Sequence, residues 1–215
     1  MHVHTKLSGD SSATAEEYCR IIQKYRHYHP FDGIVLTEHR MLPPGRTYEK
    51  IAEKYGILIL KGAEVDADFG HLLLYGITAE FLRAVDISQR RLNSKEVIHI
   101  ITDCGGIAIP SHPFRESRFG TALETQTKAL NGITAIEEIN GTNTAVQNKK
   151  ATDLIEKNGL KGIGGSDAHY ANQHWFIRCA TAFNNPVHTM ADLVKELRKG
   201  DFEPITFDNT VLGDF

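Results

Sequence analysis

The sequence predicts an α/β fold in which buried strands alternate with amphipathic helices. Two observations carry this expectation: short apolar runs bounded by glycine or proline recur along the chain, and capped helical stretches separate several of them. A third locates the chemistry, because several of these runs end in a histidine or a carboxylate. Residues 33–37 (Gly-Ile-Val-Leu-Thr) read as a strand buried on both faces, as do 57–63, 106–110, 133–139 and 162–165. Residues 71–77 and 178–183 read as further strands. Because Met1 directly precedes His2-Val3-His4, the first strand is expected to be very short or the start truncated.

The helices are announced by caps and periodicity. Thr14-Ala15-Glu16-Glu17 is a capping box, and Tyr18, Ile21, Ile22 and Tyr25 form the apolar stripe of a helix ended by Pro30. Ser94 can cap a helix that turns Val97, Ile98 and Ile101 inward and closes at Gly105-Gly106. Residues 144–158 form a third helix, ended by Gly159, and Thr189 opens a last one that buries Leu193, Val194 and Leu197 before Gly200. Strand–helix alternation implies a parallel sheet with helical crossovers, and seven or so strands allow a barrel or an open sheet. Without a repeat, low-complexity stretch or long linker, residues 1–215 are expected to form one domain.

Composition narrows the function classes. Lysine plus arginine total 24 and aspartate plus glutamate 27, a net charge of −3 with no basic run. Charge therefore gives no reason to expect a nucleic-acid partner. Cys19, Cys104 and Cys179 are far apart and lack CxxC spacing, so neither a disulfide framework nor a cysteine zinc site is expected. No apolar run approaches the roughly 20 residues of a spanning helix, and no membrane partner is expected. A reducing, cytoplasmic setting is the corresponding localisation.

The polar residues at the run ends form an ordered series. It comprises His2-x-His4, Glu38-His39, Gly62-Ala63-Glu64, Ser111-His112 and Ser166-Asp167-Ala168-His169. In a parallel α/β barrel the strand C-termini open on one face, which brings such residues together. His-x-His on a strand puts both rings on one face, and Asp167-x-His169 repeats that geometry if its strand continues. Neutral imidazole with carboxylate suits zinc, manganese or iron. Six histidines and three carboxylates exceed the needs of one ion at about four ligands, so two or three divalent ions are expected.

These residues resemble the polymerase-and-histidinol-phosphatase (PHP) superfamily of metallohydrolases. The resemblance runs from His2-Val-His4-Thr5 through Thr37-Glu-His39, Gly62-Ala-Glu64, Gly70-His71-Leu-Leu, Ser111-His112-Pro-Phe-Arg115 and Glu137-Glu-Ile-Asn140-Gly141 to Gly165-Ser-Asp167-Ala-His169. It implies a distorted (β/α)7 barrel holding up to three ions. His2, His4, Glu64 and Asp167 would hold one, Glu64 would bridge to a second with His71 and His112, and Asp10, His39 and His169 would hold the third. Family members commonly carry Ser-Asp-Gly where this chain reads Ser8-Gly9-Asp10-Ser11, so Asp10 reaches the site only if its loop shifts by one residue.

The expected reaction is hydrolysis of a small phosphomonoester by a hydroxide held between the ions, with Glu64 and Asp167 as the central carboxylates. Arg115 could fork onto two phosphate oxygens. Arg40 could line the same mouth or form a surface salt bridge, Glu137 could orient a ligand or meet substrate, and His174 could touch substrate. His27, His29, His99 and His188 lie in or near helices and are poorer candidates. The rivals are an amidohydrolase-type hydrolase, an exonuclease on the same site, and a non-catalytic regulatory PHP module. The Asp167-x-His169 pair, Glu64 and the nearly complete ligand set favour the phosphoesterase.

Overall fold

The computed structural model describes residues 1–45, 48–115, 132–172 and 174–207. Its strands are β1 Gly33–His39, β2 Leu58–Ala67, β3 Gly70–Tyr75, β4 Ile107–Pro110, β5 Ala135–Asn140, β6 Lys161–Gly165, β7 Cys179–Phe183 and β8 Phe202–Thr206. Its helices are α1 Ala15–Tyr25, α2 Glu49–Tyr55, α3 Ala79–Ala84, α4 Ser94–Asp103, α5 Ala145–Asn158 and α6 Met190–Lys199. The fold is mixed α/β. The expected strands and helices are present except the first strand, of which only bridges at Val3 form; β8, α2 and α3 are additional.

The sheets depart from the expected parallel arrangement. β1 pairs with β2, and β5 with β6, in parallel; β2–β3, β3–β4 and β7–β8 are antiparallel. The reason is local. Ala67 and Gly70 are register partners, so only Asp68 and Phe69 link β2 to β3. A parallel return needs a crossover of about a dozen residues or more. The reversal of β3 explains why His71 begins its strand, whereas His39 ends its own and His112, Asp167 and His169 follow theirs. Asp66 near the end of β2 faces His71 at the start of β3, and His39 at the end of β1 faces Glu64.

The first residues join two parts of the molecule. Val3 bridges in parallel to Leu36 of β1 on one side and to Ala168, just past β6, on the other. Thr37 N–H donates to Val3 O at 2.8 Å, His4 N–H to Ala168 O at 3.0 Å and Asp167 N–H to His2 O at 2.8 Å. Among the described residues no ladder joins β4 to β5, so the pairing does not close into a barrel.

Alternation along the strands sorts side chains into separate cores. Val35, Leu73, Tyr75, Ile109, Ala135 and Ile163 share one cluster with Leu193 and Leu197 of α6. Ile34 and Leu36 pack instead with Tyr18 and Ile22 of α1. Val65, Leu72 and Leu74 pack with Phe81 of α3 and Val97 and Ile101 of α4. Capping boxes at Thr14, Thr144 and Thr189 fix the starts of α1, α5 and α6. The cap of α4 is Asn93, whose side chain accepts from Glu96 N–H; Ser94 lies inside the first turn. α1 stops at Tyr25, short of Pro30. No described helix is long and apolar enough to cross a membrane.

Candidate metal centre

His2 and His4 flank Val3, and strand alternation turns both rings to the same side. Glu64 comes from β2, His39 from the end of β1 and His71 from the start of β3. His112 follows β4, and Asp167 and His169 follow β6. His112 and Asp167 both have positive φ, at 29° and 51°. Such backbone costs on the order of 1–3 kcal/mol per residue and persists where the surroundings over-determine it. The turn at Asp167 ends β6, so Asp167-x-His169 does not continue the strand as expected. His169 Nδ1 donates instead to the Asp167 carbonyl at 3.0 Å.

The side chains form three groups whose ligand atoms lie within 4.8 Å of one another: His2, His4, Glu64 and Asp167; Glu64, His71 and His112; and His4, His39 and His169. The first two coincide with the expected sets. The third takes His4, while Asp10 sits beside it. Asp10 is 55% exposed, with Oδ2 3.2 Å from His39 Nε2 and 3.5 Å from His169 Nε2.

The atoms at the centre face one another without donating. His2 Nδ1 donates to Glu137 Oε1 at 3.0 Å, because a carboxylate can only accept, and His4 Nδ1 lies 3.0 Å from Ser8 Oγ. Both Nε2 atoms therefore turn inward, 2.9 Å apart. Glu64 Oε2 lies 3.4 Å from His2 Nε2, 3.3 Å from His4 Nε2 and 3.1 Å from His39 Nδ1. Yet Glu64 Oε2 and His39 Nδ1 are both buried without a hydrogen-bond partner. Converging imidazole nitrogens and carboxylate oxygens, one of them an oxygen without a hydrogen-bond partner, fit a divalent cation.

The same crowding shapes the protonation of the metal-free protein. Burial pushes the His2 imidazole down, but Glu137, Glu64 and Asp167 outweigh it and hold its pKa well above the usual range. Burial likewise opposes His4, whose bonds to Asp167 and Glu64 raise it to about 9. Burial would raise Glu64 and Asp167; the histidines, led by His2, instead hold both well below the usual carboxylate range. His112 is lowered by burial and by Arg115, despite Glu64.

For Glu137 and Arg40 the contacts follow one of the two roles the sequence offered each: holding a neighbouring histidine and forming a salt bridge. Glu137 is fully buried, with Oε1 on His2 and Oε2 accepting from His112 N–H and Asn140 Nδ2, each at 2.8 Å. It orients two ligand residues and is closed to substrate. Gly165 makes room for it: a Cβ there would lie 2.2 Å from Glu137 Oε1 and 2.7 Å from His2 Cβ. Arg115 turns onto Asp167, Asn140, Thr142 and Asn143 of the β5–α5 loop. Arg40 has φ 55° and pairs with Asp66 at 3.2 Å. The His174 side chain lies outside the described residues.

Sequence periodicity gave no signal for Ser111, whose hydroxyl donates to Glu64 Oε1 at 2.8 Å, nor for Asn143 or Thr142. Their roles depend on where loops fold back. Phe176 packs on Tyr18, with ring centroids 4.4 Å apart, and belongs to the core.

Residues 146–202 match the family model described as PHP-associated. Over that stretch the chain is similar to PHP-associated proteins, in keeping with the resemblance carried by its motifs. Among solved structures, the fold is similar to that of PsfC of Pseudomonas syringae, at 18% identity and a TM-score of 0.70 over 97% of this chain and 91% of that one. It is also similar to a two-domain protein of Bacteroides vulgatus containing a predicted PHP-like metal-dependent phosphoesterase. That likeness has 19% identity and a TM-score of 0.61, covering 96% of this chain and 63% of the other. A third similar structure is Endonuclease Q bound to a 27-mer duplex with an abasic lesion at the active site, with 16% identity and a TM-score of 0.62. This chain is covered over 94% of its length and spans 57% of Endonuclease Q. That complex corrects the expectation drawn from charge: the fold is found on DNA, so an unremarkable net charge does not exclude a nucleic-acid substrate.

Proposed function

We propose that this protein is a PHP-type, metal-dependent phosphoester hydrolase acting on a small phosphomonoester. Its cofactor would be two or three divalent ions, manganese, iron or zinc. One observation carries the reading: the inward Nε2 atoms of His2 and His4 face each other at 2.9 Å beside the unpartnered Glu64 Oε2. His2, His4, Glu64 and Asp167 would hold one ion, Glu64 with His71 and His112 a second, and Asp10, His39 and His169 a third. Bound ions of this kind polarise phosphoryl oxygens and bring a bound water's pKa near neutrality. The fold reading that accompanies this is a distorted (β/α)7 barrel, supported by Val3 bridging β1 to the segment after β6.

The chain's own residues supply burial, charge and orientation. His2, His4 and Glu64 are fully buried, so electrostatic interactions at the floor are weakly screened. Arg115 is held by the β5–α5 loop with its guanidinium at Asp167, a fixed positive charge for the non-bridging oxygens of a phosphoryl group. Glu137 fixes the ring of His2. A second reading, a phosphodiester within nucleic acid, is favoured by the Endonuclease Q complex.

The test is a substrate panel after loading with each metal in turn, set against chelator-treated protein. Metal-dependent release of phosphate from small monoesters supports the first reading. Cleavage of an abasic duplex alone supports the second. Full metal loading without either activity contradicts both.

A further inference from the structure

We infer that Glu38, acting through the Ser8 hydroxyl, is a positioning residue that fixes the tautomer and orientation of His4. The inference rests on the metal-centre reading and deepens it. Glu38 is fully buried. Strand alternation puts it on the face of β1 opposite Thr37 and His39, so it is not itself a ligand. A buried carboxylate is costly unless donors surround it. Here they come from the segment that follows His4. Thr5 N–H donates to Oε2 at 3.0 Å, Thr5 Oγ1–H to Oε1 at 2.7 Å and Ser8 Oγ–H to Oε2 at 2.6 Å.

The last of these bonds has a consequence. A serine hydroxyl has one proton and two lone pairs. With the proton committed to Glu38, Ser8 Oγ can only accept. It accepts from His39 N–H at 3.0 Å and, at 3.0 Å, from His4 Nδ1. His4 Nδ1 must then carry the hydrogen, and the Nε2 lone pair must face the centre. One hydroxyl thus fixes the ring of His4 and the backbone of His39. His4 Nε2 keeps a single lone pair, and Ser8 fixes the direction in which it points. Removing a partner that orients a metal-bound histidine costs about 10- to 100-fold in metal affinity.

The experiment compares wild type, Ser8→Ala, Ser8→Thr and Glu38→Gln. Zinc affinity of chelator-stripped protein is measured by competition with a chromophoric chelator, and the imidazole tautomers of the zinc-loaded protein by 15N NMR. The expected result is a 10- to 100-fold loss of zinc affinity in Ser8→Ala with loss of the single His4 Nδ1–H state, and rescue by Ser8→Thr. Glu38→Gln, which leaves the serine proton free to rotate, should fall in the same direction. If the buried Glu38→Gln substitution fails to fold, the two Ser8 variants decide the matter, because Ser8 lies in a short, partly exposed 3-10 turn. Wild-type zinc affinity and an unchanged His4 tautomer in Ser8→Ala would overturn the inference alone. A wild-type protein that binds no zinc, manganese or iron would overturn the metal-centre reading beneath it.

Discussion

The floor and the rim of the site are built on different terms. At the floor, His2, His4 and Glu64 are fully buried, and neighbouring groups such as Glu137, Ser8 and Ser111 hold them. At the rim, Asp10 is 55% exposed and Arg115 28%, and their partners come from loops. Burial removes alternatives: an uncompensated charge at the floor has no water to turn to, whereas a rim group re-solvates when its partner is lost. The floor should therefore be intolerant of conservative changes, and the rim should yield graded ones.

Glu64→Gln should have the largest effect. It removes the charge shared by two ligand groups, and phosphoesterase activity should fall by more than the about 100-fold that loss of an outer partner costs. Circular dichroism should show the fold retained. Activity within tenfold of wild type would break the distinction between floor and rim. Gly165→Ala tests the layer beneath. The added methyl collides with Glu137, so the protein should lose about 1–3 kcal/mol in a denaturant titration, together with metal affinity.

The metal-free protein should respond to pH in a defined window. His4 is raised from 6.5 to about 9 when folded, so its contribution is complete below its unfolded value and is lost as pH rises through about 9. Glu64 and Asp167 are depressed, so their contributions exist above their ordinary values and are lost at acid pH. Chelator-stripped protein should melt at a higher temperature at pH 6 than at pH 10. The opposite order would contradict the protonated cluster.

At the rim, Arg115→Ala should raise KM for a phosphate ester roughly tenfold or more, the worth of a charge-assisted hydrogen bond, with metal content retained. Loss of metal would move Arg115 from substrate to scaffold. Asp10→Asn should be the mildest change. An exposed ion pair is worth at most about 1 kcal/mol, so zinc affinity should change by less than about fivefold.

The same division explains what the sequence made legible. His-x-His, the glycine-bounded strands and the capping boxes are short-range signals, and they located the floor ligands and most elements. The reversal of β3 was also within reach, since only Asp68 and Phe69 separate the two strands. Glu137 was visible as a carboxylate near a strand end, but its burial against His2 depends on Gly165 of the neighbouring strand. Arg115 and Arg40 were visible as charges. Their pairing with Asp167 and Asp66 depends on tertiary loop placement, which carries no periodic signature. Ser8 and Glu38 were both in view, but the bond between them spans 30 residues and was not.

The most direct measurement is the metal content of wild-type protein purified without chelator, determined by inductively coupled plasma mass spectrometry. The account predicts two or three divalent ions per chain, removable by chelation and restored by manganese, iron or zinc. Protein that carries none, and takes none up at saturating concentrations, would contradict it.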